Sequence, residues 1–103
     1  MGDVALLEKA LDDILVWVRE AGSRAMLFQT WTRQGEEDAQ KDMSRVYRQL
    51  GEKHNIPVIP VGDRWQAYRR EHPDAAFYRS DGSHAAPAGS QLAAQVIAEA
   101  LCP

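Results

Sequence analysis

An aspartate and a histidine three positions apart, in the run Asp81-Gly82-Ser83-His84, are the residues whose types and spacing best suit chemistry in this chain. A turn of that length brings the Asp81 carboxylate to the imidazole, where it can accept the Nδ1 proton and leave Nε2 to act as a base. The same residues also suit a plain loop, in which Asp81 bonds the chain just beyond it and His84 is a surface residue ahead of a helix. Ser83 sits inside the pair, either as a nucleophile turned back onto the imidazole or as a turn hydroxyl. Thr30 and Ser80 are more remote alternatives.

The elements that must position this loop are read from periodicity. Val4, Leu7, Leu11, Ile14 and Val18 share one helical face, with Asp3 at the cap position and Gly22 at the stop. Ala25 to Thr30 is a nearly continuous apolar run and reads as a strand covered on both faces. Glu36, Glu37 and Asp38 suit the positive end of a second helix, whose Met43, Val46, Tyr47 and Leu50 recur at helical spacing and which should finish near His54-Asn55. Ile56 to Val61 reads as a second strand, confined by Pro57 and Pro60 to an edge or to positions facing away from a neighbour. Asp63 is then the cap of a short helix carrying Trp65 and Tyr68, His72-Pro73 opens a loop, and Leu92, Ala93, Val96 and Ile97 mark a last helix. Two strands joined through a helix make a right-handed parallel unit.

Ligands of open α/β sheets sit beyond the carboxyl ends of the strands. Gln29, Thr30 and Trp31 after the first strand, and Gly62, Asp63 and Arg64 after the second, therefore share a rim with the Asp81/His84 loop. Gln29, Thr30, Trp31 and Asp63 are the candidate substrate-binding residues. Trp31 is either a core or interface aromatic or an apolar wall for an ester-like substrate.

The segment from Tyr78 to Ala93, with Asp81, His84, Pro87 and Gly89 in order, closely resembles the last sequence block of the SGNH (GDSL-like) hydrolases, where an Asp-x-x-His pair precedes the C-terminal helix. Met26 to Trp31 and Pro57 to Gly62 look like the last two strands of that fold. The likeness covers most of this chain but only the C-terminal half of a family member. It implies that His84 is the general base and Asp81 its partner. It also implies a truncated flavodoxin-like (SGNH-type) three-layer α/β unit, with two parallel strands and about four helices, acting on ester-like acyl or phosphoryl substrates without a cofactor.

Two blocks of the family do not occur in the sequence. Neither the Gly-Asp-Ser block that carries the nucleophile nor the Gly-x-Asn-Asp segment is found. Together those blocks furnish the oxyanion-hole donors, each worth about 3 kcal/mol. A two-stranded sheet is also an inadequate core, so completion by a homodimer or higher oligomer is expected, with a swapped first helix as one route, or by a chain carrying the missing N-terminal half. The alternative is a non-catalytic, oligomerising or accessory remnant that keeps the motif as a turn.

Composition narrows the field further. A chain of 103 residues with 45% hydrophobic and 26% charged residues suits one domain, 1–103. The formal charge of −3 comes without a contiguous basic stripe, which argues against nucleic acid. Arg64, Arg69 and Arg70, with Asp63 and Glu71 beside them, read as a solvated helix face. The single Cys102 forms no intrachain disulfide and no Cys-based metal cage, and no His-x-x-x-His spacing supports a metal site. Neither Gly35 nor Gly51 opens a phosphate loop. The acidic start with Glu8, Asp12 and Asp13 is unlike a signal peptide, and no apolar run approaches the roughly 20 residues that span a bilayer. A cytoplasmic location and no membrane partner are expected.

Overall fold

Two helix stops with left-handed residues set the layout. The computed structural model describes residues 4–102, so the capping position assigned to Asp3 lies outside the described residues. Helix α1, Val4–Glu20, closes where Gly22 adopts φ +70, with Gly22 N donating to Arg19 O and Ser23 N to Val18 O, both at 3.0 Å. That bond pair is the Schellman stop, in which a residue without a Cβ penalty turns the chain. Helix α2, Gln40–His54, ends the same way with Asn55 at φ 54 and Ile56 N donating to Gly51 O at 2.8 Å. Gly51 has no room for a side chain, because a Cβ there would lie 2.7 Å from Val58 Cγ2. The stop therefore delivers Ile56 and Pro57 straight into a strand.

That strand, β2 (Val58–Ile59), pairs in parallel with β1 (Leu27–Phe28) in the register Leu27 with Val58 and Phe28 with Ile59. Both are shorter than the runs Ala25 to Thr30 and Ile56 to Val61 predict. The prolines on either side of β2 each remove a donor, so only isolated bonds extend the ladder, from Leu27 N to Pro57 O and from Gln29 N to Ile59 O. Phe28 is exposed, which corrects the expectation of a strand covered on both faces.

Helix α3, Val61–Glu71, follows β2 at once, and helix α4, Pro87–Leu101, completes a mixed α/β and mostly helical fold with a two-stranded parallel sheet. Pro87 starts α4 where a missing N–H costs nothing. A single 3₁₀ turn, Glu37–Ala39, precedes α2, so the acidic run lies before that helix instead of inside it. Asp63 does not cap α3. Pro60 holds that position, and Asp63 lies in the first turn with its carboxylate used elsewhere.

The core gathers Ile59, Val61, Trp65, Phe77, Leu92, Ala93 and Val96. Trp65 is fully buried, edge-on to Phe77 and stacked on Trp31 with ring centroids 4.0 Å apart. Gly89 lets α4 settle on it, since a Cβ at that position would meet the Trp65 ring and lie 2.6 Å from Phe77 O. Helix α1 stays outside this core. Only its Leu15 is buried, while Leu6, Ile14 and Trp17 are 66%, 49% and 68% exposed. An ion pair of Glu8 with Lys53 links it to the end of α2, where the His54 ring stands 3.4 Å from both Glu8 and Asp12. The radius of gyration is 14.7 Å, against about 13 Å for a compact chain of this size.

Candidate functional site

The loop that carries the Asp and His residues is closed at its base by an antiparallel bridge between Tyr78 and Ala85. Arg79 N donates to His84 O at 2.8 Å and Ala86 N to Phe77 O at 2.7 Å, which pins both limbs. At the tip, Gly82 N donates to Arg79 O, and Gly82 turns at φ +70, a backbone conformation that glycine adopts without strain.

Within the loop the two oxygens of Asp81 have separate tasks. Oδ1 accepts the backbone N–H of Ser83 at 2.9 Å and of His84 at 3.0 Å, while Oδ2 lies 2.5 Å from His84 Nδ1. The His84 contact, followed by the two amide bonds, holds the Asp81 carboxyl well below the usual carboxylate range. An ionised Asp81 can only accept, so Nδ1 carries the proton toward it and Nε2 is the nitrogen left for other work. The His84 side chain is 78% exposed.

The loop is fastened from below by the segment that leaves β1. Trp31 Nε1 donates to Ser83 O at 2.9 Å, Gln34 N to Gly82 O at 2.8 Å, and Arg33 Nη2 to Asp81 O at 3.2 Å. Because Trp31 stacks on Trp65, the height of the loop is set by the core. Trp31 is a support for the motif as well as a half-buried surface beside it. Ser83 is fixed through its backbone N–H and carbonyl. Among the described residues, Asp81 is the one side chain within hydrogen-bond reach of the His84 ring, so neither Ser83, Ser80 nor Thr30 is aligned as a nucleophile.

The other rim residues separate from this loop. Gln29, 1% exposed, uses its whole amide on one neighbour: Oε1 accepts Asp63 N at 2.8 Å and Nε2 donates to Asp63 Oδ2 at 3.2 Å. Ser44 Oγ donates to the second Asp63 oxygen at 2.5 Å, and Gln40 Nε2 donates to Ser44 Oγ and to Thr30 O. Thr30 Oγ1 turns to the adjacent carbonyl of Trp31. These bonds lace the exits of both strands to α2. They bring Gln29, Thr30 and Asp63 together with each other instead of with His84.

Gln40, Ser44, Gln66 and Tyr78 are buried or half-buried parts of this network that periodicity did not single out. Gln66 Nε2 reaches Thr32 Oγ1 at 3.2 Å, and Tyr78 OH donates to Thr32 O at 2.8 Å. The one trace of them in the sequence is the four-residue spacing of Gln40 and Ser44, which puts two short polar groups on one helical face. Among the described residues, no group of three or more His, Cys, Asp or Glu is gathered to hold a metal, and no helix is long and apolar enough to cross a membrane. Comparison with protein-family models, with curated proteins and with solved structures returns no match.

Proposed function

We propose that this chain is the C-terminal half of an SGNH-type hydrolase fold in which Asp81 orients His84 as a general base toward ester-like acyl or phosphoryl substrates. The observation that carries the reading is the 2.5 Å contact of His84 Nδ1 with an Asp81 carboxylate that two backbone amides hold in place. Such a pair fixes the ring tautomer and favours the imidazolium formed when Nε2 takes a proton. With no aligned hydroxyl beside it, the proton comes from water or from a serine on another chain. Water activation by one base accounts for about 10² to 10⁴-fold of rate enhancement.

The finer fold belongs to the same proposal. The parallel pair β1/β2 corresponds to the last two strands of a truncated flavodoxin-like sheet, and a second copy of the chain completes it as a homodimer. Phe28, and Ile14 and Trp17 on α1, are exposed, and burial of such large apolar side chains against a second copy supports this. A separate chain with the N-terminal half would meet the same need. The lone Cys102 suits a reducing, cytoplasmic setting.

A second reading, a non-catalytic oligomerising or accessory module, draws on one observation: Oδ1 of Asp81 closes the turn by itself, so the motif also has a purely architectural use. Mass in solution, measured with hydrolysis of a short-chain activated ester by the natural chain and by His84→Ala, separates the two. Oligomers whose hydrolysis disappears in a folded His84→Ala variant are expected. Hydrolysis that is absent, or indifferent to His84, would sink the hydrolase reading.

A further inference from the structure

Away from the Asp81/His84 loop, the most confined cation chemistry surrounds Arg69. A groove of about 990 Å³ runs between the start of α2 and α3, lined by Glu37, Gln40, Gln66, Arg69 and Arg70 among others, and none of its lining residues belongs to the loop. Gln40 and Gln66, 4% and 3% exposed, form its fixed amide floor.

Arg69 is held before any ligand arrives. Its guanidinium lies over the Tyr78 ring, 4.8 Å from the centroid, and Nη1 donates to Gln66 Oε1 at 3.3 Å. A planar cation fixed by stacking and by a side-chain acceptor has already lost much of its rotamer freedom, which is the condition under which arginine recognises carboxylates well.

What Arg69 holds in this structure is a carboxylate on a short exposed turn. Glu37 Oε1 accepts Arg69 Nη1 at 2.8 Å and Gly35 N at 3.0 Å. The turn bends at Gly35, φ +92, and its 3₁₀ residues Glu37–Ala39 have no side-chain cap. Residues 33–39 are exposed, so the Arg69–Glu37 pair and a few backbone bonds, such as Ala39 N to Glu36 O, are what hold this segment against the groove. Lys41 and Arg70 add two more cations to the groove and form no ion pair among the described residues. Of the other two acids in the lining, Asp63 is already engaged by Ser44 and Gln29, while Asp38 forms no ion pair among the described residues and faces the same groove.

We propose that this groove is a binding site for a small polycarboxylate, with Arg69 as the receptor and Glu37 as the internal carboxylate that the ligand displaces. A molecule with two or three carboxyl groups satisfies Arg69 and draws on Lys41 and Arg70 as well. A ligand with one carboxyl group gains nothing over Glu37, which is tethered.

Calorimetric titration of the full chain with citrate at low salt tests this, alongside Glu37→Gln, Arg69→Gln and a parallel titration with inorganic phosphate. Citrate should bind the natural chain, bind Glu37→Gln at least tenfold more tightly, and bind Arg69→Gln at least tenfold more weakly. Binding to Glu37→Gln no tighter than to the natural chain would overturn the displacement mechanism. Binding that survives in a folded Arg69→Gln would remove Arg69 as the receptor. Phosphate binding as tightly as citrate would overturn the carboxylate class. Should Arg69→Gln fail to fold, the comparison of the natural chain with Glu37→Gln decides on its own.

Discussion

The indole N–H of Trp31 donates to the carbonyl oxygen of Ser83 at 2.9 Å, tying the exit of the first strand to the middle of the Asp81/His84 loop across 52 positions of sequence. Trp31 in turn stacks on the buried Trp65, so the orientation of the motif depends on the packing of the core. Trp31→Phe keeps a ring in the stack and removes the donor. It should cost about 1 kcal/mol of stability and speed amide exchange selectively over residues 79–84, which urea titration and hydrogen exchange would measure.

If Asp81 orients His84 for catalysis, Asp81→Asn should lower kcat/KM for an activated ester by about 10² to 10⁴-fold. His84→Ala should do the same while leaving the thermal midpoint nearly unchanged, because the imidazole is mostly exposed. An Asp81→Asn variant as active as the natural chain would show that the pair serves only to close the turn.

Acid sensitivity follows from Glu37. Its bond to Arg69, with the Gly35 amide second, lowers its pKa from 4.5 to about 2. A group whose pKa is depressed by folding contributes stability that is complete above its unfolded value and is lost as pH falls through its folded value. The natural chain should therefore lose stability between about pH 4.5 and pH 2. Glu37→Gln should lose less over the same window, as read from urea midpoints at several pH values. Asp81 acts with the same sign, its pKa also lowered by its bonds to His84 and two amides.

Gly89→Ala should destabilise by about 1–3 kcal/mol through overpacking, since the new methyl group meets the Trp65 ring and the Phe77 carbonyl. Differential scanning calorimetry would show a fall of about 4–8 °C in Tm for each kcal/mol lost. An unchanged Tm would mean that α4 does not pack on Trp65 as closely as described.

Trp17→Glu combined with Ile14→Glu should leave an isolated chain folded, because both side chains are largely exposed, and should convert the proposed dimer to monomer. Sedimentation equilibrium would report it. Unaltered mass in the double variant would place any self-association on another surface, such as the open edge of β1.

Much of the architecture is local and so was legible in the chain itself. The helix stops at Gly22 and Asn55 are single-residue properties, and the 3.6-residue periodicity of α1 and α2 needs no partner to be read. The Asp81 and His84 contact was legible as one of two outcomes: a four-residue turn allows the two side chains to meet, and it also allows Asp81 to bond only the chain just beyond it, and the folded loop does both.

Tertiary structure decided what periodicity could not. Burial, not residue type, determined that Gln29 and Asp63 pair with each other, that Gln40, Ser44 and Gln66 form a polar floor, and that Arg69 is stacked instead of solvated. It also split the predicted apolar face of α1, leaving Val4, Leu7 and Ile14 exposed while Leu11 and Val18 are half-buried on either side of buried Leu15. Polar side chains acquire their partners only when distant segments meet. A strand with prolines on both sides keeps only the ladder bonds that its neighbour can supply, so those features belong to the folded chain and not to any one stretch of it.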